Sequence, residues 1–429
     1  MKRIIIITQF LIVSAIFLLS GCSHSPSMRE VPQFGSNTAV WQPTDNTSQR
    51  PQHIALLLPL SGTYAPYAHA IRNGFFTAYY EAKNTLGYSP TITVLNTNGK
   101  NIKQVYQSAI TQGATFIVGP LNKSNVATLA TDTQATVPIL ALNTTPTNMT
   151  INNSALYEFG LSPTDEAQQA AVKARQDHHR HVIIIAPNSA WGHRLVNAFS
   201  TQWQHDGGSI VATQYYGNIA SLSKNIANVL QITNDYKNEH KLKKLFREKM
   251  RYIPQRRQDF DSIFLVANPA MAQQIQPLLR FYFVYDIPIY ATSAVYATHD
   301  RDLDGIQFCD MPWILAPNHL PSSLQTIQQR IQMLWPNRYA HYAKFYAMGV
   351  DAFHLASQLT YMQSHPQSGM PAATGTLYLT PQHYFYRQLA WAKMTNGQPQ
   401  LIQKKFDRHW QTSGERCAAF FRTTRINVA

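Results

Sequence analysis

Residues Pro254–Leu315 read PQRRQDFDSIFLVANPAMAQQIQPLLRFYFVYDIPIYATSAVYATHDRDLDGIQFCDMPWIL, and this stretch decides the fold. Asp261–Ala267 (DSIFLVA) is a short apolar run without alternation, which suits a parallel strand covered on both faces. Pro269 can take the first position of a helix, and Ala270, Ile275, Leu278 and Leu279 give that helix one apolar side. Asp286–Pro288 ends it, and Ile287–Ala291 (IPIYA) begins another short strand. Strand, helix and strand in this order make a β-α-β unit with a right-handed crossover.

The same alternation extends towards the N-terminus. Ile54–Leu60 (IALLLPL) predicts a buried strand, and Ala68, Ile71, Phe75 and Tyr79 recur on one face of a helix over Ala65–Leu86. Strands are expected at Thr91–Leu95, Phe116–Val118 and Pro138–Leu142, and helices at Ile102–Thr111 and Lys123–Gln134. A second series follows: a helix from Pro163 to about Asp177, with Asp165 and Glu166 at its positive end, a strand at His181–Ala186, a helix at Trp191–His205 and a strand at Gly208–Tyr215. Ser223–Met250 predicts a helix whose end is basic, with Lys241, Lys243, Lys244, Arg247, Lys249 and Arg251. Beyond the opening stretch, Leu324–Leu334 and Ala340–Met362 predict helices and Gly375–Leu379 a strand. Arg387–Met394 and Leu401–Lys405 form a hairpin across Asn396-Gly397, a pair that favours a tight type I′ turn.

The expected fold class is α/β with two lobes, each a mostly parallel sheet with helices on both faces. It resembles the type I periplasmic-binding-protein fold. That likeness implies one lobe from 53–162 and 292–365 and another from 163–291 and 366–429, with crossings near Ser162, Thr292 and His365.

Length and composition allow such a chain. It has 429 residues, 45% hydrophobic and 14% charged, enough for two cores. The formal charge is +14, which could meet anionic lipid or wall polymers. No nucleic-acid motif accompanies it, and no nucleic-acid partner is expected. Residues 1–21 form a leader with Lys2 and Arg3 before an apolar run, ending Leu19-Ser20-Gly21-Cys22. Small residues before a cysteine resemble a bacterial lipobox, in which Cys22 takes the lipid and becomes the first mature residue. Several acyl chains, at about 0.8 kcal/mol per buried methylene, make a firm anchor. Ser23, rather than an aspartate, resembles the sorting signal for the outer membrane. Residues 22–52 are rich in Ser, Pro, Thr, Asn and Gln and are expected to form a disordered tether, spanning roughly 30 Å on average. Cys309 and Cys417 are expected either to pair in an oxidising periplasm or to stay as buried thiols.

Three pieces of the chain carry a closer likeness: Arg256–Ala267, the Phe281–Ile289 run into Ala291-Thr292-Ser293, and Asp302-Leu303-Asp304-Gly305 through Asp310-Met311-Pro312-Trp313. They resemble the C-terminal domain of the LppC/LpoA family of outer-membrane lipoproteins that activate penicillin-binding proteins. The resemblance implies a non-enzymatic regulator whose partner is a bifunctional peptidoglycan synthase, with peptidoglycan itself a further candidate partner. Long family members carry a helical-repeat domain ahead of this fold, and here only the tether stands in that place.

Two sets of candidate residues follow. Strand carboxyl ends line the cleft of such folds, which assigns Ser61, Gly62, Thr63, Gly119, Asn143, Thr144, Asn188 and Trp191 to an interlobe site for a small polar ligand. The same residue types also close turns and cap helices. Arg256, Arg257, Asp302, Asp304 and Trp313 are candidates for a partner surface, an aromatic anchor beside charges; the alternative is that the arginines pair internally and the tryptophan is core. No cofactor or metal is expected. Gly160-Leu161-Ser162-Pro163 lacks the second glycine of a nucleophile elbow, and His178, His179 and His181 fit a surface cluster better than a metal site. Two other functions stay open: a lipid-anchored receptor for an amino-acid-like solute, which predicts closure of the lobes, and a structural wall-binding lipoprotein, which predicts salt-sensitive binding to purified wall.

Overall fold

The computed structural model describes residues 50–146, 149–232, 244, 255–296 and 300–402. The first sheet is assembled from β1 (His53–Leu58), β2 (Thr91–Asn96), β3 (Phe116–Val118), β4 (Ile139–Ala141) and β5 (Leu156–Glu158). Its order is β2-β1-β3-β4-β5 and every pairing is parallel. Helices α1 (Ala65–Leu86), α2 (Ile102–Thr111) and α3 (Lys123–Ala130) connect successive strands. α1 has a proline in its first turn and stops at Gly87, whose φ of 66° is the left-handed conformation that closes helices. α3 ends four residues earlier than its apolar pattern suggested, where Thr131 caps it and Asp132 turns the chain. β5 (Leu156-Tyr157-Glu158) was not expected, because it ends in a charged residue and lacks the apolar run that marks the equally short β3 (Phe116-Ile117-Val118).

The second lobe begins with α4 (Pro163–Gln176), then β6 (His181–Pro187), α5 (Ala190–His205), β7 (Ser209–Tyr216), α6 (Ile219–Val229), β8 (Ser262–Leu265), α7 (Pro269–Phe281) and β9 (Ile289–Ala291). The β8-α7-β9 unit is the one expected from the opening stretch. The expected helix Ser223–Met250 is corrected in its described part: α6 begins at Ile219 and ends at Val229, with Leu230 capping it and Gln231 at a φ of 61°, while 233–243 and 245–250 lie outside the described residues. Then come β10 (Ile306–Asp310), α8 (Pro312–Leu315), α9 (Ser322–Leu334), α10 (Pro336–Ser364), β11 (Met370–Ala372), β12 (Gly375–Leu379), β13 (Phe385–Gln388), β14 (Ala390–Thr395) and β15 (Gln398–Leu401). The second sheet runs β15-β14-β10-β9-β8-β6-β7, parallel except for β14 and β15. The hairpin turn has φ of 53° at Asn396 and 76° at Gly397, as a type I′ turn requires. The last residues expected in its second arm, 403–405, lie outside the described residues.

Sheet membership differs from the expected crossings near Thr292 and His365. β10 continues the parallel ladder on β9 (Phe308 opposite Ala291), so 306–310 belongs with the second sheet. The chain enters the first lobe's core after it, at Met311 and Trp313. The small antiparallel sheet β11-β12-β13 also joins that core, through Met370, Leu377 and Phe385, and the return to the second sheet comes at Ala390.

The first core is dominated by α1 and α10, which lie against each other along Ile71, Phe75, Tyr346, Val350 and Phe353. Asp351 sits in this apolar stretch, fully buried, and its carboxylate accepts the backbone N–H groups of Ala373 (2.8 Å) and Thr374 (2.7 Å). Burial pushes its carboxyl up to about 6, against the pull of those N–H bonds. The folded state thus binds the proton more tightly than the unfolded chain, whose aspartates titrate near 4. This contribution to stability is complete below about pH 4 and is lost as pH rises through about 6. Asp351→Asn is expected to melt lower and to lose this part of the pH dependence, at most about 3 kcal/mol. Melting curves from pH 4 to 7 check it, and a variant whose slope matches the wild type would refute the assignment.

Candidate functional site

Three segments pass between the lobes: Phe159–Ser162, Asp310–Met311 and Arg387–Leu389. A buried polar cluster holds them together. Ser162 caps α4, its hydroxyl accepting the N–H of Asp165, and this points Glu166 and Gln169 at the junction. Arg387, 1% exposed, donates from Nε to the carbonyl of Gly160 (3.0 Å). Gln169 donates to the carbonyl of Arg387 (2.9 Å) and accepts the N–H of Leu389 (3.0 Å). The first and third crossings are therefore tied side by side.

The second crossing is tied by charge. Lys344, on α10, places Nζ 2.8 Å from Asp310 Oδ2 and 2.8 Å from the Ser293 hydroxyl. The N–H of Ser293 in turn donates to Glu166 Oε2 (2.9 Å). Asp310 ends β10 and Ser293 follows β9, so one lysine of the first lobe's long helix reaches two strand ends of the second sheet. Burial raises the carboxyls of Glu166 and Asp310 above the usual range, with Lys344 pulling both back down. Burial likewise raises the thiol of Cys309, whose Sγ lies 3.8 Å from the carbonyl of Glu166. Cys309 is fully buried, and its expected partner Cys417 lies outside the described residues, as does the expected lipidation site Cys22.

The residues assigned to an interlobe ligand do stand at strand carboxyl ends, but most are engaged locally. The Ser61 hydroxyl accepts from Asn96 Nδ2 (3.0 Å), and Gly62 lies against Asn98. Thr63 is exposed. Gly119 serves packing, since a Cβ there would stand 2.1 Å from the Leu57 carbonyl oxygen. Asn143 accepts the N–H of Thr144 (2.9 Å) and donates to the Leu121 carbonyl (3.0 Å), closing a turn. Asn188 pairs with His193 (3.1 Å), and Trp191 packs half-buried against the α4–α5 core. A surface hollow of about 650 Å³ lies elsewhere, among His181, Arg257, Asp259 and Asp261 at the amino ends of β6 and β8.

Four of the five residues assigned to a partner surface have structural work, and each is a correction. Trp313 is 1% exposed within the first core, where its carbonyl accepts from Gln328 (2.8 Å). Arg256 is 9% exposed, bidentate to Asp286 (2.7 and 2.9 Å). Arg257 is bidentate to Asp259 (2.7 Å to each oxygen). Asp304 accepts the Gly397 N–H (2.8 Å) and so braces the hairpin turn. Asp302 is exposed. Sequence reasoning missed Lys344 altogether. Asp351 was legible in principle, as a lone carboxylate in the apolar run Met348–Leu355.

The family described as "LppC putative lipoprotein" matches residues 43–397. A penicillin-binding protein activator LpoA of Vibrio antiquarius is 31% identical over 355 residues, 80% of this chain and 57% of that protein. One from Vibrio vulnificus is 27% identical, over 88% of this chain and 65% of that protein. The chain thus spans about two thirds or less of the curated relatives it matches. Among solved structures, the LpoA (YraM) C-domain from Haemophilus influenzae, a regulator of PBP1A, superposes with a TM-score of 0.64 at 25% identity, covering 82% of this chain and 100% of that one. A branched-chain amino acid ABC transporter component from Chromobacterium violaceum gives 0.60 at 25% identity, covering 80% and 99%.

Proposed function

The chain belongs to the LppC lipoprotein family, and we propose on that premise that it is a non-enzymatic activator of a bifunctional penicillin-binding protein. Lipid on Cys22 anchors it to the outer membrane, and the tether ahead of residue 50 lets the two lobes stand off into the periplasm; the expected end of that tether at residue 52 is corrected, because Arg50 is buried over the Tyr88 ring and the Tyr88 hydroxyl donates to the Pro51 carbonyl (2.7 Å). The observation that carries this reading is the superposition on the whole length of the PBP1A-regulating C-domain, alongside the family match over residues 43–397. The engaged state of Ser61, Asn143 and Asn188 supports it against a solute receptor, because a bound solute needs free donors and acceptors on the cleft wall. The receptor reading keeps one observation in its favour, the likeness to the Chromobacterium transporter component.

The test is a reconstituted synthesis assay with the mature chain and the organism's own bifunctional synthases, following glycan polymerisation and peptide cross-linking. Cross-linking that rises with one synthase and saturates with added protein is the expected result. No change with any active synthase, together with a thermal shift from an amino acid, would favour the receptor.

A further inference from the structure

The run Phe281-Tyr282-Phe283-Val284-Tyr285 leaves α7 with three aromatic rings turned to solvent. Phe281 is 70% exposed, Phe283 46% and Tyr285 77%, while Val284 between them is 2% exposed. Large exposed aromatics scattered singly need no explanation, but three within five residues form a patch of the kind that marks interfaces. α6 packs alongside this run, Ser223 bonding the Tyr282 hydroxyl (3.0 Å), and its first residue, Ile219, is itself 60% exposed.

The backbone beneath the rings is held at a specific shape. Val284 donates to the Leu279 carbonyl (2.8 Å) and Phe283 to that of Arg280 (3.0 Å), closing the helix with Phe283 at a φ of 63°. Glycine usually takes that position, because an L side chain is strained there. Folding alone therefore gives no reason for a phenylalanine. Arg256 locks the strained residue: its Nε donates to the Phe283 carbonyl (3.1 Å) while its Nη2 grips Asp286. The guanidinium lies 5.4 Å from the ring of Phe260. A buried arginine thus positions an exposed aromatic run, which lowers the entropic cost of binding through it.

We infer that Phe281, Phe283 and Tyr285 are the docking site for the synthase partner, received by an apolar recess with a carboxylate rim; this rests on the activator reading. The charge around the rings indicates the rim. Arg280 donates to the Asp304 carbonyl, which leaves its charge uncompensated, and Lys224 is exposed on α6. Among the described residues neither makes an ion pair, whereas Asp286, the acid nearest the rings in sequence, is neutralised by Arg256. A bilayer fits less well. Amphipathic helices that lie on a membrane carry a face rich in lysine and arginine, whereas α6 and α7 carry two cations, Lys224 and Arg280.

Phe281→Ala/Tyr285→Ala in the mature chain tests the inference, with synthase affinity, cross-linking stimulation and melting read together. The variant is expected to melt with the wild type, since neither ring is buried, and to bind the synthase about 30-fold more weakly or worse. Arg280→Glu is expected to weaken binding about tenfold at low salt and less at high salt. A wild-type chain that stimulates a synthase which the double variant binds equally well overturns the docking site alone. A wild-type chain that binds no synthase removes the activator reading and the docking site with it. Sedimentation with phosphatidylethanolamine–phosphatidylglycerol vesicles completes the set: loss of vesicle binding by the variant, with synthase affinity intact, assigns the rings to the membrane and overturns the inference.

Discussion

Gly349→Ala is expected to cost about 3 kcal/mol or more, and Gly349→Val to prevent the first lobe from folding. α1 and α10 cross with their backbones in contact. A Cβ at Gly349 would lie 2.0 Å from the Ile71 carbonyl oxygen, and one at Gly74 would lie 2.1 Å from that of Tyr346. Each helix lends the other a glycine at the crossing, and neither clash is with the end of a flexible side chain. Alanine in mid-helix recovers only about 1 kcal/mol of propensity over glycine, so the overlap decides the sign. The helices must part, and Phe75 and Phe353, with ring centroids 5.3 Å apart, lose their packing. Denaturant unfolding of the variant gives the number. Gly217→Ala, where no atom lies within 4 Å, serves as the control and is expected within about 0.5 kcal/mol of wild type. A Gly349→Ala protein as stable as that control would mean the crossing yields freely.

Lys344→Met comes next in size, with a loss of about 2–4 kcal/mol at pH 8. Removing one partner of a buried pair leaves the other charge uncompensated, which costs about 3–5 kcal/mol; the figure is reduced here because the lysine side chain is 36% exposed, whereas that of Asp310 is 2%. The loss has a pH signature. Asp310 and Glu166 already bind protons more readily than free carboxylates, and without the lysine they do so still more. The variant therefore approaches wild type as pH falls and departs from it as pH rises. Asp310→Asn added to Lys344→Met is expected to restore much of the stability at pH 8, as a coupled pair should. Equal losses at pH 5 and pH 8 would show that the lysine acts through packing and not through charge. Because Lys344 links the first lobe to strand ends of the second sheet, the same variant reports on how firmly the lobes are held.

Much of this architecture was legible from short-range pattern. The apolar runs Ile54–Leu60, Phe116–Val118 and His181–Ala186, and the helix faces between them, depend on spacings of two to four residues, and apart from the end of α3 the folded elements keep those bounds within a residue or two. The Asn-Gly turn was legible for the same reason, since its conformation belongs to two adjacent residues. The charges around Pro254–Leu315 were visible in sequence, but their destinations were not. Arg256 could have turned outward or paired with Asp259; it pairs with Asp286, thirty residues on, because α7 and the strand after it bring that carboxylate back. Trp313 could have anchored a partner; α8 carries it under α9 and α10 instead.

By itself, then, the sequence determined the alternating β and α elements and two mostly parallel sheets. Each is set by residues close together in the chain, where covalent geometry and periodic burial leave few alternatives. Only the tertiary structure decided that β10 joins the second sheet, that Lys344 meets Asp310 and Ser293, and that Phe281, Phe283 and Tyr285 face water. Those outcomes depend on which surfaces remain after distant segments have packed. An aromatic side chain favours burial wherever it stands in the sequence, so only the folded chain shows which of its rings were left without a cover.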